Sequence, residues 1–442
     1  MDIQLSDHFD FKRLFRFTLP SIIMMLFTSV YSMVDGFFIS NFVGITPFAA
    51  INLVIPFTMI LAAFGFMFGA GGSALVSATL GANQKDRANR IFSMLTYTTV
   101  IVSIALTVLG IVFLEPISIW MGADAELLPY CITYGRILLL ALPGFMLQIM
   151  FQSFLITAER PTLGLWVTVL AGITNMVLDF LFILVFQWGI TGAALATGIS
   201  QCVGGIVPLI YFARPNTSLL QLGKAGFDWK ALFHACTNGL SELVTNISMS
   251  VVAILYNFQL MKFAGENGVA AYGAVMYVGF VFAAVFIGYS IGVTPVIGFH
   301  YGAQNHDELG SLFRKSNVLV ISASTVLAVA AFFLAKPLAT MFVSKDAALL
   351  EMTIAAFRYY ALSVLFSGFS IFGSAFFTAL NNGVVSATIS FLRTLVFQIA
   401  AVLLLPIFFD LNGVWYSLFV AEILAALVTA VLYRIQRRKY HY

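Results

Sequence analysis

Apolar residues along this chain come in long runs separated by short polar intervals, and each run is near the length of about 20 residues that crosses a bilayer as a helix. Twelve such stretches are legible: 14–41, 48–79, 90–112, 128–158, 162–186 and 190–213, then 233–262, 268–299, 311–334, 350–380, 384–408 and 412–435. Several exceed the minimum, which allows tilt or extension beyond the membrane. A membrane barrel would instead show segments of about 10 residues alternating in polarity. The pattern therefore predicts an all-α membrane protein with twelve transmembrane helices. The opening MDIQLSDHFDFKRLFRF is polar and acidic and lacks a small-residue cleavage pattern, so the first helix is expected to be kept.

An internal repeat organises these helices. A shift of 221 residues places Gly44 on Gly265, Gly71 on Gly292, Gly81-Ala82 on Gly302-Ala303, Pro116 on Pro337 and Phe151 on Phe372. It also places Thr157-Ala158 on Thr378-Ala379 and Gly192 on Gly413, with one slip around Arg136 and Arg358, which are 222 apart. A single offset serving almost the whole chain implies duplication. Because six is even, the two six-helix lobes are parallel repeats, an arrangement typical of alternating-access transporters. The lobes are read as 1–213 and 233–442, joined by the polar linker 214–232. A channel would show charged rings or a filter loop, and neither is evident.

Composition and charge narrow this further. At 61% hydrophobic and 9% charged, the chain has too few polar side chains to cover a water-soluble globule of its size. Sixteen of the 22 Lys and Arg residues fall on the side of the termini, while Lys262, Lys336 and Lys345 fall on the other. Positive residues mark the cytoplasmic side, so both termini are expected there, with the chain multi-pass in a prokaryotic plasma (inner) membrane. Cys131, Cys202 and Cys236 are too scattered for a disulfide framework, and His300 and His306 lack the clustered ligands of a zinc site. The glycines of FGAGGSA at 68–74 follow no strand, so they read as helix packing and not as a phosphate loop. No nucleophile-and-base set or nucleotide motif emerges, and neither enzyme chemistry, a cofactor nor a nucleic-acid partner is expected.

Chemistry-bearing residues are few, and they cluster by depth. Asp179 interrupts an apolar run, and an acid near a helix centre in lipid costs about 2.5 to 3.5 kcal/mol on insertion scales, so it signals a task or a partner. Asp35 in span 1 and Asp179 in span 5 lie six and seven residues from the outer ends of their spans, and Thr197 lies seven residues into span 6. At 1.5 Å per residue all three sit roughly 10 Å in from those ends. Asn175 is one turn before Asp179 on the same face. If the three helices are adjacent, two carboxylates, an amide oxygen and a hydroxyl converge, a set suited to protons or sodium. Two acids that close in low dielectric cannot both ionise cheaply. The competing reading has Asn175 and Thr197 merely bonding neighbouring helices. In the repeat, Asp35 corresponds to Tyr256, Asn175 to Val396, Asp179 to Ala400 and Thr197 to Leu418, so the acids belong to the first lobe alone.

The chain resembles the multidrug and toxic compound extrusion (MATE) transporters over essentially its whole length. The resemblance rests on the TLPS entry to span 1, the Gly-Ala after span 2, Pro20 fifteen residues before Asp35, the Asn175-x3-Asp179 pair, and Thr197 eighteen residues on. It implies the branch whose cation site lies in the N-terminal lobe. A V-shaped antiporter is then expected, exporting amphipathic organic cations in exchange for protons or sodium, with Asp35, Asn175, Asp179 and Thr197 carrying the ion. The resemblance also makes Pro20 the mark of a helix able to bend, whereas near a helix start proline is simply well tolerated. Gln148, Gln152, Tyr256 and Arg393 are candidates to line the substrate cavity, with helix-helix bonding equally able to explain the glutamines. Arg136, Arg358, Arg393 and Glu422 are otherwise read as structural charges within or near span ends. The partners expected are small organic cations and the bilayer, with the chain a monomer. The alternative reading is a lipid-linked oligosaccharide flippase of the same broad superfamily, which would call for more inward-facing Arg or Lys.

Overall fold

The computed structural model describes residues 3–342 and 347–442, and Lys345 lies outside them. Among the described residues the chain is almost entirely helical, without a strand. In the first half α1 spans Phe11–Phe42, α2 Ile45–Gly81, α3 Lys85–Trp120, α4 Leu128–Thr157, α5 Pro161–Asp179 and α6 Gly189–Ala213. A π-helical turn, Phe180–Val185, extends α5. In the second half α7 spans Trp229–Asn238, α8 Leu240–Gly302, α9 His306–Phe333, α10 Ala335–Phe342, α11 Ala347–Ala379, α12 Gly383–Phe391 and α13 Phe397–Tyr440. A second π-turn, Leu392–Val396, joins α12 to α13.

Among the described residues ten helical stretches are long and apolar enough to cross a membrane, and two of them are double. α8 breaks at Gly265 (φ 61°, ψ −150°) and α13 at Asp410 (φ 48°, ψ −133°), so the ten resolve into twelve spans. These breaks obey the repeat. Gly44, at φ 116°, is the counterpart of Gly265; Gly189, at φ 57°, of Asp410; and Asn83 of Gln304, at 60° and 54°. Turns that need a positive φ thus recur at the 221-residue shift, because duplication copied the backbone geometry along with the residues that allow it.

The same shift governs the contact between the halves. An added Cβ on Gly81 would fall 1.9 Å from the carbonyl oxygen of Phe299, and one on Gly302 equally close to that of Ala78. The shift carries Gly81 to Gly302 and Ala78 to Phe299, so these are one contact seen twice. Gly71 against Gly239 and Gly292 against Thr18 form a second such pair. Without a hydrophobic force between helices in lipid, small residues that let backbones touch are what hold them together. The two-lobe, twelve-helix bundle is therefore closed about a pseudo-twofold axis between α2 and the second part of α8. These contacts lie in the half of the bundle nearest the termini, which share one end: Leu5, Phe9 and Tyr442 are buried in one core with Leu309, Leu312 and Phe376.

Three details depart from expectation. Span 7 begins at Leu240 and not at 233, because Gly239, pressed against the Met67 carbonyl, separates it from the short helix α7. α10 adds a helix in what read as a loop. α1 begins at Phe11, where Asp10 caps it by accepting from the Arg13 amide at 2.7 Å, and that puts Pro20 nine residues inside the helix. A static entry-turn role for Pro20 is thereby removed, since proline is accommodated without loss only in the first turn.

Gly81→Ala and Gly302→Ala are each expected to lower stability by about 1–3 kcal/mol through overpacking. Gly273→Ala, whose new Cβ would meet nothing within 4 Å, should be neutral or stabilising by up to about 1 kcal/mol. Thermal unfolding in detergent distinguishes the three.

Candidate functional site

α5 packs between α1 and α6, and α4 lies against α6, so the four helices surround one point. Asp35 on α1 faces Asp179 and Asn175 on α5, within electrostatic and near hydrogen-bonding range. Asn175 and Asp179 are buried, at 1% and 0% exposure. Thr197 on α6 stands beside the hydroxyl of Tyr134 on α4, and Tyr134 in turn lies in the field of both acids. Asp179 ends the regular part of α5, and the π-turn that follows widens the helix at that level. Such π-bulges recur at functional sites.

The set is left unsatisfied. Six atoms, namely Asp35 Oδ1, Asn175 Oδ1 and Nδ2, both carboxylate oxygens of Asp179 and Thr197 Oγ1, are buried and complete no hydrogen bond of ordinary geometry. Each such atom costs about 1–3 kcal/mol, and two neighbouring carboxylates carry a further repulsion if both are charged. Oxygen donors of this kind are ligands suited to a proton or a hard cation. Among the described residues no group of three His, Cys, Asp or Glu is placed to hold a metal ion. The four residues singled out from depth and spacing are therefore brought together. Tyr134 was not foreseen: a lone tyrosine in an apolar helix gives no signal until the fold places it by Thr197.

The other candidates fall elsewhere. Gln148 is buried in the α4–α6 contact against Gly204, and Gln152 reaches Thr168 of α5 at 3.5 Å. In the second lobe, Tyr256 is buried with its ring stacked on Tyr272 (5.2 Å, 4°) and its hydroxyl unpartnered. Arg393 sits in the π-turn after α12 and donates from Nε to both Glu422 carboxylate oxygens at 3.0 Å, with Nη2 reaching Oε1 at 2.9 Å. That pairing was hidden in the sequence, because 29 residues separate the partners. Glu242, in the first turn of α8, is an electrostatic neighbour of Arg393. Arg358 lies over the Phe332 ring at 5.5 Å. The spans that bring Glu242, Arg393 and Glu422 together, 7, 11 and 12, are the repeat counterparts of spans 1, 5 and 6 around Asp179.

The MatE family model matches the chain twice, over residues 20–181 and 243–404, which together exceed half its length. The chain belongs to the MatE family. Two matches of equal length, one in each half, fall on the same duplication that the glycine contacts display. Among curated relatives, this MatE chain is 25% identical to the multidrug export protein MepA of Staphylococcus haemolyticus over 97% of its length and 94% of that protein. It is 23% identical to MepA of Staphylococcus aureus (strain MRSA252), with the same coverage. Among solved structures it superposes on a MATE in complex with MaL6 at a TM-score of 0.93, with 22% identity and 98% of both chains covered. It superposes on an outward-facing multidrug resistance MATE family transporter of the MOP superfamily at 0.92, with 23% identity, covering 98% of this chain and 97% of that one. At that identity the likeness is one of fold, and it establishes the twelve-helix membrane architecture of this MatE protein.

Breaking the second-lobe pair should be costly. Glu422→Ala leaves the half-buried Arg393 without its partner and is expected to destabilise by about 1–3 kcal/mol, whereas Arg393→Met with Glu422→Met removes both charges and should recover most of that loss. Thermal unfolding of the two variants checks the order.

Proposed function

We propose that this MatE chain is a secondary active exporter, driving amphipathic organic cations out of the cell in exchange for protons or sodium ions bound at Asp35, Asn175, Asp179 and Thr197. The observation that carries this reading is the cluster of six buried, unpartnered polar atoms on three helices. A fold that leaves two carboxylates, an amide and a hydroxyl unsatisfied in one place is poised to take up a cation reversibly. MepA relatives named for multidrug export, matched along 97% of this chain, support export of drug-like compounds. The placement of both acids in the first lobe supports the branch whose ion site lies there.

In this mechanism the ion and the compound compete through conformation. Loading of the Asp35–Asp179 site favours the state that releases the compound outside, and loss of the ion inward resets it; each must bind the two states with different affinity, or no coupling follows. One inward charge crossing 100 mV contributes about 2.3 kcal/mol, enough for a useful gradient. Pro20 lies on α1 between Thr18, at the lobe contact, and Asp35, at the ion site, and a bend there would link the two. The lobes, 1–213 and 233–442, move about the 214–232 linker, with the second lobe's Tyr256 and Arg393 lining the compound's path. The chain acts as a monomer in the plasma membrane with both termini cytoplasmic, as its charge distribution favours.

Efflux of a cationic dye from reconstituted vesicles, with proton and sodium gradients imposed separately, tests the proposal. Flux is expected with one gradient and is expected to vanish in Asp35→Asn and Asp179→Asn while both variants fold. Full gradient-driven flux in both would sink the assignment.

A further inference from the structure

The polar linker between the halves does not hang free. Residues 221–228 lie along the first turns of α3: the Gln221 amide donates to Asn89 Oδ1 at 2.8 Å, the Gly223 amide to Ser93 Oγ at 3.0 Å and the Tyr97 hydroxyl to the Gly223 carbonyl at 3.0 Å. The Asp228 amide reaches Met94 Sδ at 3.3 Å. Between this strap and α3 lies a cavity of about 210 Å³ lined by Arg87, Arg90, Ile91, Gly226, Phe227 and Asp228. Residues 85–90 and 224–230 together hold five Lys or Arg and two Asp, and Asp228 is engaged in capping α7 through the Ala231 amide at 3.1 Å.

Beside the cavity stands an apolar ledge. α7 turns Ala231 and Ala235 to the core and leaves Trp229 and Phe233 exposed at 65% and 60%; Phe227, next to the arginines, is 75% exposed. Aromatic rings flanked by basic side chains, at the level where the apolar part of α3 begins, are the composition of a membrane-water interface. A soluble anion would explain the arginines but not the three exposed rings.

We propose that Arg87 and Arg90 form a binding site for the phosphate headgroup of an anionic phospholipid, whose acyl chains lie along Phe227, Trp229 and Phe233. The guanidinium groups suit a phosphate, which they can grip by two parallel hydrogen bonds. Each basic residue near an anionic membrane surface contributes about a fivefold gain in binding, so removing both arginines should weaken it roughly 30-fold. Because the lipid would bridge α3 and the linker, it would fasten the joint between the halves. This site uses none of the residues assigned to ion or compound, and it stands or falls separately from them.

The test is native mass spectrometry of the full chain released from detergent with phosphatidylglycerol, phosphatidylcholine or glycerol phosphate added. Wild type is expected to retain phosphatidylglycerol in preference to phosphatidylcholine, Arg87→Gln with Arg90→Gln to lose roughly 30-fold in that retention, and Arg87→Lys with Arg90→Lys to fall between the two, keeping the charge but losing the paired hydrogen bonds. Thermal unfolding of the glutamine variant confirms that it is folded. Equal phosphatidylglycerol retention by wild type and the glutamine variant overturns the proposal. So does glycerol phosphate binding as tightly as the lipid, which would make this a site for free anions.

Discussion

A bilayer interior offers no water, so every polar group placed there must find its partner inside the protein. The backbone meets that demand by being helical almost throughout. Side chains meet it unequally in the two lobes. In the second, Arg393 and Glu422 close on each other, and Ser374 joins Ser386 and Ser390 at 2.9 Å in a small hydroxyl network with Thr378. In the first, Asp35, Asn175, Asp179 and Thr197 leave six atoms unmet. Among the described residues this is where unmet polar atoms gather most densely.

That cluster sits on a frame built twice. Positive-φ turns and the glycine contacts recur at one offset, and each lobe also carries a π-turn in its fifth helix, though not at equivalent positions. Each π-turn lies beside an ionisable residue, Asp179 in one lobe and Arg393 in the other. The two distortions are not repeat equivalents, since Asp179 corresponds to Ala400 and Arg393 to Gly172, so the lobes present different charges at different positions. A paired cation and an open pair of acids behave differently: the first is neutralised within the protein, and the second gains by taking a cation from outside.

Mechanical connection runs through α1. Its first half meets the second lobe at Thr18 and Ile22 through backbone contacts with Gly292 and Gly288, and its second half bears Asp35. Pro20 lies within the contacting half, between Thr18 and Ile22, and removes one helical hydrogen bond there. The polar cluster and the closure between lobes therefore share one helix.

The sequence by itself determined the twelve spans, the duplication and the matched depth of Asp35, Asn175, Asp179 and Thr197 in the first lobe. Those features are local: apolar length, a repeated offset, and depth along helices of fixed rise. Tertiary structure decided what depends on partners far apart in the chain. It joined Arg393 to Glu422, placed Tyr134 beside Thr197, sank Gln148 into the α4–α6 contact, and moved Pro20 from a helix entrance to its interior. It also laid the 221–228 strap on α3. The division has a physical basis. Hydrophobic length and helical rise act along one strand of chain, whereas pairing and packing depend on which helix faces which, and helix–helix contacts in lipid turn on small residues whose meaning appears only when a second backbone arrives.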